Sequence, residues 1–326
     1  MKKSFVFSLG ILLCSAASGL LIFASAIARA QNTNSTGQGF QISPVLMELN
    51  ADPGQTYVIN LKLKNVTANT LVSKPQVNNF GAKGENGDPE IFLDNSEKTT
   101  YALKSWVVNI PDYTFASQET KTIPVKVTVP SNAEPGGHYG VIRFSGVPPE
   151  LADDQSAVAL SASIGSLVLV RVSGQVRESA RLEDFFVSQD GKKGGFFETG
   201  PLTFVERIKN DGNIHVKPTG EVVVKDMFGK SIASLKVNDP PKNVLPDSIR
   251  RFEQELNKKW LFGRYSANLA LAYGTGNQKL TGQIVFWVVP WKLILAVILL
   301  IVAIVLIMRT GVKRYNRHII NKAKQQ

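Results

Sequence analysis

Between Gln41 and Trp287 the chain alternates apolar and polar residues in short segments, and this period of two limits the possible folds more than any other feature. Tyr57, Ile59, Leu61 and Leu63 share one face, with Asn60, Lys62 and Lys64 opposite. Ile123, Val125, Val127 and Val129 alternate with Thr122, Lys126 and Thr128, and Ala267, Leu269, Leu271 and Tyr273 line up in the same way. Such segments recur roughly every ten residues, punctuated by Gly, Pro and Asn, which argues for a mainly β chain of antiparallel sandwiches. One stretch competes. Ile249, Phe252 and Leu256 have helical spacing between Pro246 and Gly263, although a strand with a loop is the preferred reading.

The pattern repeats. Gly54-Gln55-Thr56 leads through an alternating strand to Lys64-Asn65, and Gly200-Pro201-Leu202-Thr203 leads through another to Lys209-Asn210. Later, Gly137-His138-Tyr139 opens one strand and Gly263-Arg264-Tyr265 another. A Gly-x-Tyr at a late strand suits a bend in which glycine allows the turn and the phenol bonds back to nearby backbone. Pro135, Gly136, Gly137, Tyr139, Gly140, Gly263 and Tyr265 are therefore expected as structural turn determinants. Two tandem immunoglobulin-like sandwiches follow, spanning 40–175 and 176–285, with 146–157 as a long loop and the boundary near Ser173 to Ser179.

The ends read differently. Met1-Lys2-Lys3, the apolar run Phe5 to Ala28, and Ala28-Arg29-Ala30 form an export signal over 1–30, cleaved after Ala30, with an uncleaved N-terminal anchor as the alternative. A polar linker occupies 31–39. Leu293 to Met308 is sixteen residues without a charge; extended back to 286 it makes a transmembrane helix over 286–308. Trp287, Trp291 and Lys292 suit the membrane interface. The tail at 309–326 carries six Lys or Arg and no acid, which places it in the cytoplasm and the sandwiches outside.

Of 37 basic residues, three lie in the signal, six in the tail and one at the membrane, which leaves 27 against all 26 acids. The net charge of +11 thus belongs to the ends, and a nucleic-acid partner is not indicated. Cys14 is the one cysteine and leaves with the signal, so core burial alone has to stabilise the exported domains.

The run Thr120 to Pro130, followed by Ala133-Glu134-Pro135-Gly136-Gly137-His138-Tyr139-Gly140-Val141-Ile142-Arg143-Phe144, resembles the N-terminal domain of the WxL-interacting proteins. Ile42-Ser43-Pro44, Pro53-Gly54-Gln55, and Trp106 before Pro111 fit the same family, over roughly residues 40–175. The resemblance implies peptidoglycan binding by the first domain, a second domain that contacts host or partner proteins, and docking of other surface proteins. It transfers no binding residue.

No enzymatic chemistry stands out. His138, His215 and His318 lack a second ligand at metal spacing, and no Gly-x-Ser-x-Gly elbow or phosphate-cradling loop occurs. The acidic turn Glu85 to Glu90, with Asp94 nearby, lacks the spacing of a calcium loop. Asn34-Ser35-Thr36 and Asn65-Val66-Thr67 are glycosylation sequons that matter only in a eukaryotic secretory route. The sequence thus suggests a non-enzymatic, cofactor-free, single-pass cell-surface protein whose sandwiches contact cell-wall polysaccharide (peptidoglycan) or other surface proteins. The alternative is a structural spacer subunit of a membrane complex.

Overall fold

The computed structural model describes residues 39–93, 100–154, 156 and 162–323, with side chains to 315. The export signal with Cys14, nearly all of the 31–39 linker and Asp94 lie outside the described residues. The first sandwich contains β1 (Phe40–Ser43), β2 (Leu46–Ala51), β3 (Thr56–Asn65), β4 (Leu71–Lys83), β5 (Asp88–Ile91), β6 (Tyr113–Phe115), β7 (Thr120–Thr128), β8 (Gly136–Val147) and β9 (Ser163–Val172). One sheet runs β1-β3-β7; the other runs β2-β9-β8-β4-β5, with β6 paired to β4. The chain changes sheets at Pro44: Ile42 lies opposite Leu63 of β3, whereas Leu46 lies opposite Leu167 of β9 in a parallel pair. The core is the alternation made physical, with Ile59, Leu61, Leu63, Ile123, Val125 and Val127 packed against Ile142, Phe144, Val168 and Val170.

The second sandwich contains β10 (Ala180–Gln189), β11 (Lys192–Gly194), β12 (Phe196–Phe197), β13 (Leu202–Asn210), β14 (Thr219–Lys225), β15 (Ser231–Val237), β16 (Ile249–Leu256), β17 (Gly263–Tyr273) and β18 (Gln278–Val288). Its sheets are β11-β10-β13-β16 and β12-β18-β17-β14-β15. The stretch with helical spacing is β16, a strand paired along its whole length with β13, Ile249 opposite Lys209 and Leu256 opposite Leu202. The fold is therefore mainly β, two immunoglobulin-like sandwiches followed by one apolar helix.

That helix, α1 (Trp291–Ala323), contains a segment, Trp291–Tyr315, long and apolar enough to cross a membrane by length and composition. It begins later than the sequence suggests. Phe286 and Val288 point into the second core and Trp287 pairs with Arg264, so 286–288 belong to β18. A strand's apolar run merges in sequence with a helix's; Pro290 separates them, its carbonyl accepting the first helical bond from Ile294 N–H at 3.0 Å.

The two Lys-Asn strand ends do the same work. Asn65 and Asn210 are both fully buried at the ends of β3 and β13. Asn65 Nδ2 donates to Asn69 O (2.7 Å) and Ala116 O (3.0 Å); Asn210 Nδ2 donates to Ile214 O (2.7 Å) and Val244 O (2.9 Å). Each Oδ1 accepts the backbone N–H two residues on. Asn65 is consequently no glycan acceptor. The second core also holds a misfit: Glu206 of β13 is fully buried, and neither carboxyl oxygen has a hydrogen-bond partner among the described residues. Burial, reinforced by the Glu253 charge, pushes its pKa up to about 8.

Candidate functional site

In β8 and β9 both faces are apolar. Val168 and Val170 enter the first core, while Leu167 and Leu169 on the opposite face pack with Phe80, Tyr139, Val141 and Leu245. Leu245 belongs to the second sandwich, so the outer face of the six-stranded sheet that contains β8 and β9 is where the two sandwiches meet. Tyr139, 2% exposed, is the centre of that seam. Its hydroxyl accepts the His215 N–H at 2.9 Å and lies 3.2 Å from His215 Nδ1. Burial lowers the His215 pKa to about 4, with Glu48 opposing and Lys217 reinforcing, so the ring is neutral at pH 7 and Nδ1 can accept the phenol proton.

The predicted turn residues fall into two groups. Pro135, Gly136, Gly137 and Tyr139 line the seam, whereas Gly140 faces the first core. Pro135 O accepts Asn213 Nδ2 at 2.9 Å, Gly137 N–H donates to Asn213 O at 2.8 Å, and Gly140 packs against Leu103. Gly136 has φ +130°, and a Cβ there would meet Asn213 O at 2.5 Å, so glycine is needed both for the conformation and for the approach of the second sandwich. Gly263 and Tyr265 instead serve their own sandwich: the Tyr265 hydroxyl accepts the Phe262 N–H (3.0 Å), donates to Phe262 O (3.2 Å) and its ring stacks on Phe286. The two Gly-x-Tyr segments match in sequence, but their tyrosines point to opposite faces. Trp287 lies on β18; Trp291 and Lys292 open α1, with Lys292 Nζ 2.8 Å from Glu198.

The seam is tied at its rim by groups that sequence reasoning missed. Glu85, from the turn considered for calcium, accepts Arg207 Nε at 2.8 Å and, through its other oxygen, Nη2 of the same guanidinium, and its carbonyl takes the Arg251 N–H. The guanidinium holds Glu85 below the usual carboxylate range. Glu48 of β2 accepts Lys217 Nζ (2.6 Å) and Asn243 Nδ2 (2.8 Å); burial works to raise its pKa, but these partners win and lower it. Among the described residues no cluster of His, Cys, Asp and Glu is arranged to hold a metal. The sequence signal that could have revealed the seam is the two-sided apolar character of β9, since a strand buried on both faces requires a second layer.

Beside the seam an apolar cavity of about 230 Å³ opens, lined by Leu46, Phe80, Leu167, Leu169, Leu245 and Ile249. It lies next to β2, an edge of the six-stranded sheet. Val45 O accepts Leu167 N–H and Ala51 O accepts Ser173 N–H, so the odd residues of this parallel pair face β9. The amides of Leu46, Glu48 and Asn50 face the open side, and Val45 and Leu46 are exposed.

No family model and no curated protein matches the chain. Solved structures do match. The YadV chaperone is 14% identical at a TM-score of 0.35, with 76% of this chain and 100% of that chain covered. A chaperone–tip adhesin complex of CFA/I fimbriae biogenesis is 12% identical at 0.37, covering 77% and 99%. The CsuC–CsuE chaperone–tip adhesion subunit complex of Acinetobacter baumannii is 11% identical at 0.35, covering 75% and 97%.

No family model supports the resemblance to the WxL-interacting proteins, and the cell-wall docking reading that rested on it falls with it. The residues behind that resemblance, the Ile123-Val125-Val127 alternation and Pro135 to Tyr139, are core and seam chemistry. They signalled how sandwiches are built rather than what they bind, and a Tyr139 buried at the seam is no platform for sugar rings.

The seam carries its own pH expectation. Because the folded His215 pKa lies below the ordinary 6.5, the folded state binds fewer protons than the unfolded one between about pH 4 and 6.5. His215 therefore costs roughly 1.4 kcal/mol of stability for each pH unit of acidification in that window. Glu206 has the opposite slope there, so the readout is the difference between wild type and His215→Gln in denaturant titrations at pH 5 and 6.5. A difference that does not change with pH counts against the assignment.

Proposed function

We propose that this chain is a membrane-tethered, non-enzymatic polypeptide-binding module, in which the open edge of β2 receives an extended partner segment and the neighbouring apolar cavity takes one of its side chains. The helix α1 crosses the membrane once, with the basic end at 309–326 on the cytoplasmic side and both sandwiches on the other; an export signal over 1–30 delivers them there. One observation carries the reading: an edge strand with outward amides lies beside a solvent-open apolar cavity. Strand addition uses these two parts, main-chain bonds for affinity and a pocket for selectivity.

Unused edges are normally blunted, and other edges of this protein are. The edge strand β7 has Pro124 at its middle, and Lys126 O already accepts the Val108 N–H. Strand β16 carries Arg250, Arg251, Glu253 and Glu255, and Arg251 N–H is taken by Glu85 O. Strand β5 is Asp88-Pro89-Glu90-Ile91. In contrast, β2 reads Leu-Met-Glu-Leu-Asn-Ala, without proline or lysine.

A photo-crosslinking amino acid placed at Leu46 of the full-length chain in cells is expected to give a discrete protein adduct. The same group at exposed Lys62, on the opposite sheet, gives none. Absence of an adduct at 46, or the same adducts from both positions, contradicts the proposal.

A further inference from the structure

The exposed Phe and Trp side chains of the two sandwiches are not scattered. Among the described residues before α1 they are Phe196, Phe228, Trp260, Phe262 and Trp287, all in the second sandwich. Phe228 is 87% exposed, Trp260 68% and Phe262 64%. Strand pairing puts all five at one end. Gly263, at the start of β17, is opposite Val288, at the end of β18. Lys225, the last residue of β14, is opposite Ser266, so the turn Asp226–Lys230 projects beyond the same end; Met227 Cε lies where a Cβ on Gly263 would stand. Phe196 pairs with Trp287. Lys258 Nζ reaches Ile232 O at 2.8 Å, which ties the 257–262 loop to the start of β15, just after the 226–230 turn.

This is the end from which α1 leaves. Only Val289 and Pro290 separate β18 from the helix, and that link is pinned: Val289 N–H donates to Phe197 O at 2.8 Å, and Lys292 pairs with Glu198. With neighbouring strands about 4.8 Å apart, the 226–230 turn sits two strands, about 10 Å, from the helix root. Basic side chains ring the aromatic tips: Lys225, Lys230, Lys258, Lys259 and Arg264 are exposed, with Lys259 Nζ 5.8 Å from the Trp260 ring centre. Of the acids at this end, Asp226 is taken by the Phe228 and Lys230 amides and Glu198 by Lys292.

We infer that the Asp226–Lys230 turn, the 257–262 loop and Phe196 form a second membrane-contacting surface, seating the second sandwich in the headgroup layer of the bilayer that its own helix crosses. Single exposed apolar residues on a soluble domain need no explanation, but five aromatic tips with a basic rim, at the root of a membrane helix, match an interfacial anchor. The occupant is lipid because the surface is continuous with the span, and its spare cations suit lipid phosphates. The inference rests on the membrane tether proposed above.

The test uses the full-length chain with Cys14→Ser, reconstituted in vesicles containing anionic lipid, with a nitroxide spin label at Phe228→Cys, Trp260→Cys, Trp291→Cys or Asn277→Cys. Asn277 lies in the exposed turn at the opposite end of the sheet. Labels at 228 and 260 are expected to match the label at 291, with collision by dissolved oxygen favoured several-fold over collision by a water-soluble nickel complex. The label at 277 shows the reverse. Labels at 228 and 260 that behave like 277 while 291 stays in lipid overturn this inference alone; shielding of 228 and 260 from both reagents overturns it in favour of a protein contact. A label at 291 that faces water sinks the tether and this inference together.

Discussion

Truncating Tyr139 to alanine is expected to lower stability by roughly 3–5 kcal/mol, a large share of what a domain of this size possesses. The side chain fills the middle of the seam, packing against Phe80, Tyr101 and His215. Its removal leaves a cavity bounded by both sandwiches and strands the His215 N–H in an apolar site. Tyr139→Phe keeps the packing and costs roughly 1–3 kcal/mol, because only the hydroxyl's bonds to His215 are lost. The location of the damage matters as much as its size. Hydrogen exchange is expected to rise on both β8 and the 213–216 segment, since the bond crosses between sandwiches. A loss of protection confined to the first sandwich would mean that the seam does not couple them.

Replacing Glu206 by methionine is expected to act in the opposite direction, stabilising the protein by roughly 2–4 kcal/mol near neutral pH, because an unpartnered carboxyl is exchanged for an apolar side chain of similar length. The wild-type pH profile carries the signature. A folded pKa near 8 against an ordinary value of 4.5 means that the folded state holds an extra proton across that window. The stability from this group is present below 4.5 and is lost at about 1.4 kcal/mol per unit as pH rises towards 8. Between pH 4.5 and 6.5 the His215 slope offsets it; above 6.5 Glu206 acts alone. Denaturant midpoints measured from pH 6.5 to 8 should therefore fall for wild type and stay level for Glu206→Met. Equal slopes would show that the carboxyl is solvated in solution.

The sandwiches were legible because their chemistry is local. Alternation fixes which side chains of β3, β7 and β17 face inward, and the buried asparagines at the ends of β3 and β13 leave a Lys-Asn trace in each half. The seam was not legible in the same way. Pro135 to Gly140 stand out as a motif, but nothing in a Gly-x-Tyr says which face its tyrosine takes; that depends on the register of β8 against β9. Tyr139 and Tyr265 therefore look equivalent in sequence and do different work. The rim pairs Glu48 with Lys217 and Glu85 with Arg207 are separated by more than a hundred residues, and charge spacing cannot match them. The start of the helix was obscured because β18 and α1 are both apolar, so only strand pairing to β17 tells them apart.

The claim that an extended polypeptide adds to β2 is tested most directly by Asn50→Pro, combined with the photo-crosslinker at Leu46. Asn50 presents its amide to the open side of the edge, where proline removes a donor without breaking the ladder to β9. The thermal midpoint is expected to stay close to wild type, while the adduct at 46 falls at least several-fold. A folded Asn50→Pro chain that crosslinks at 46 as strongly as its parent would show that the partner does not pair with this edge.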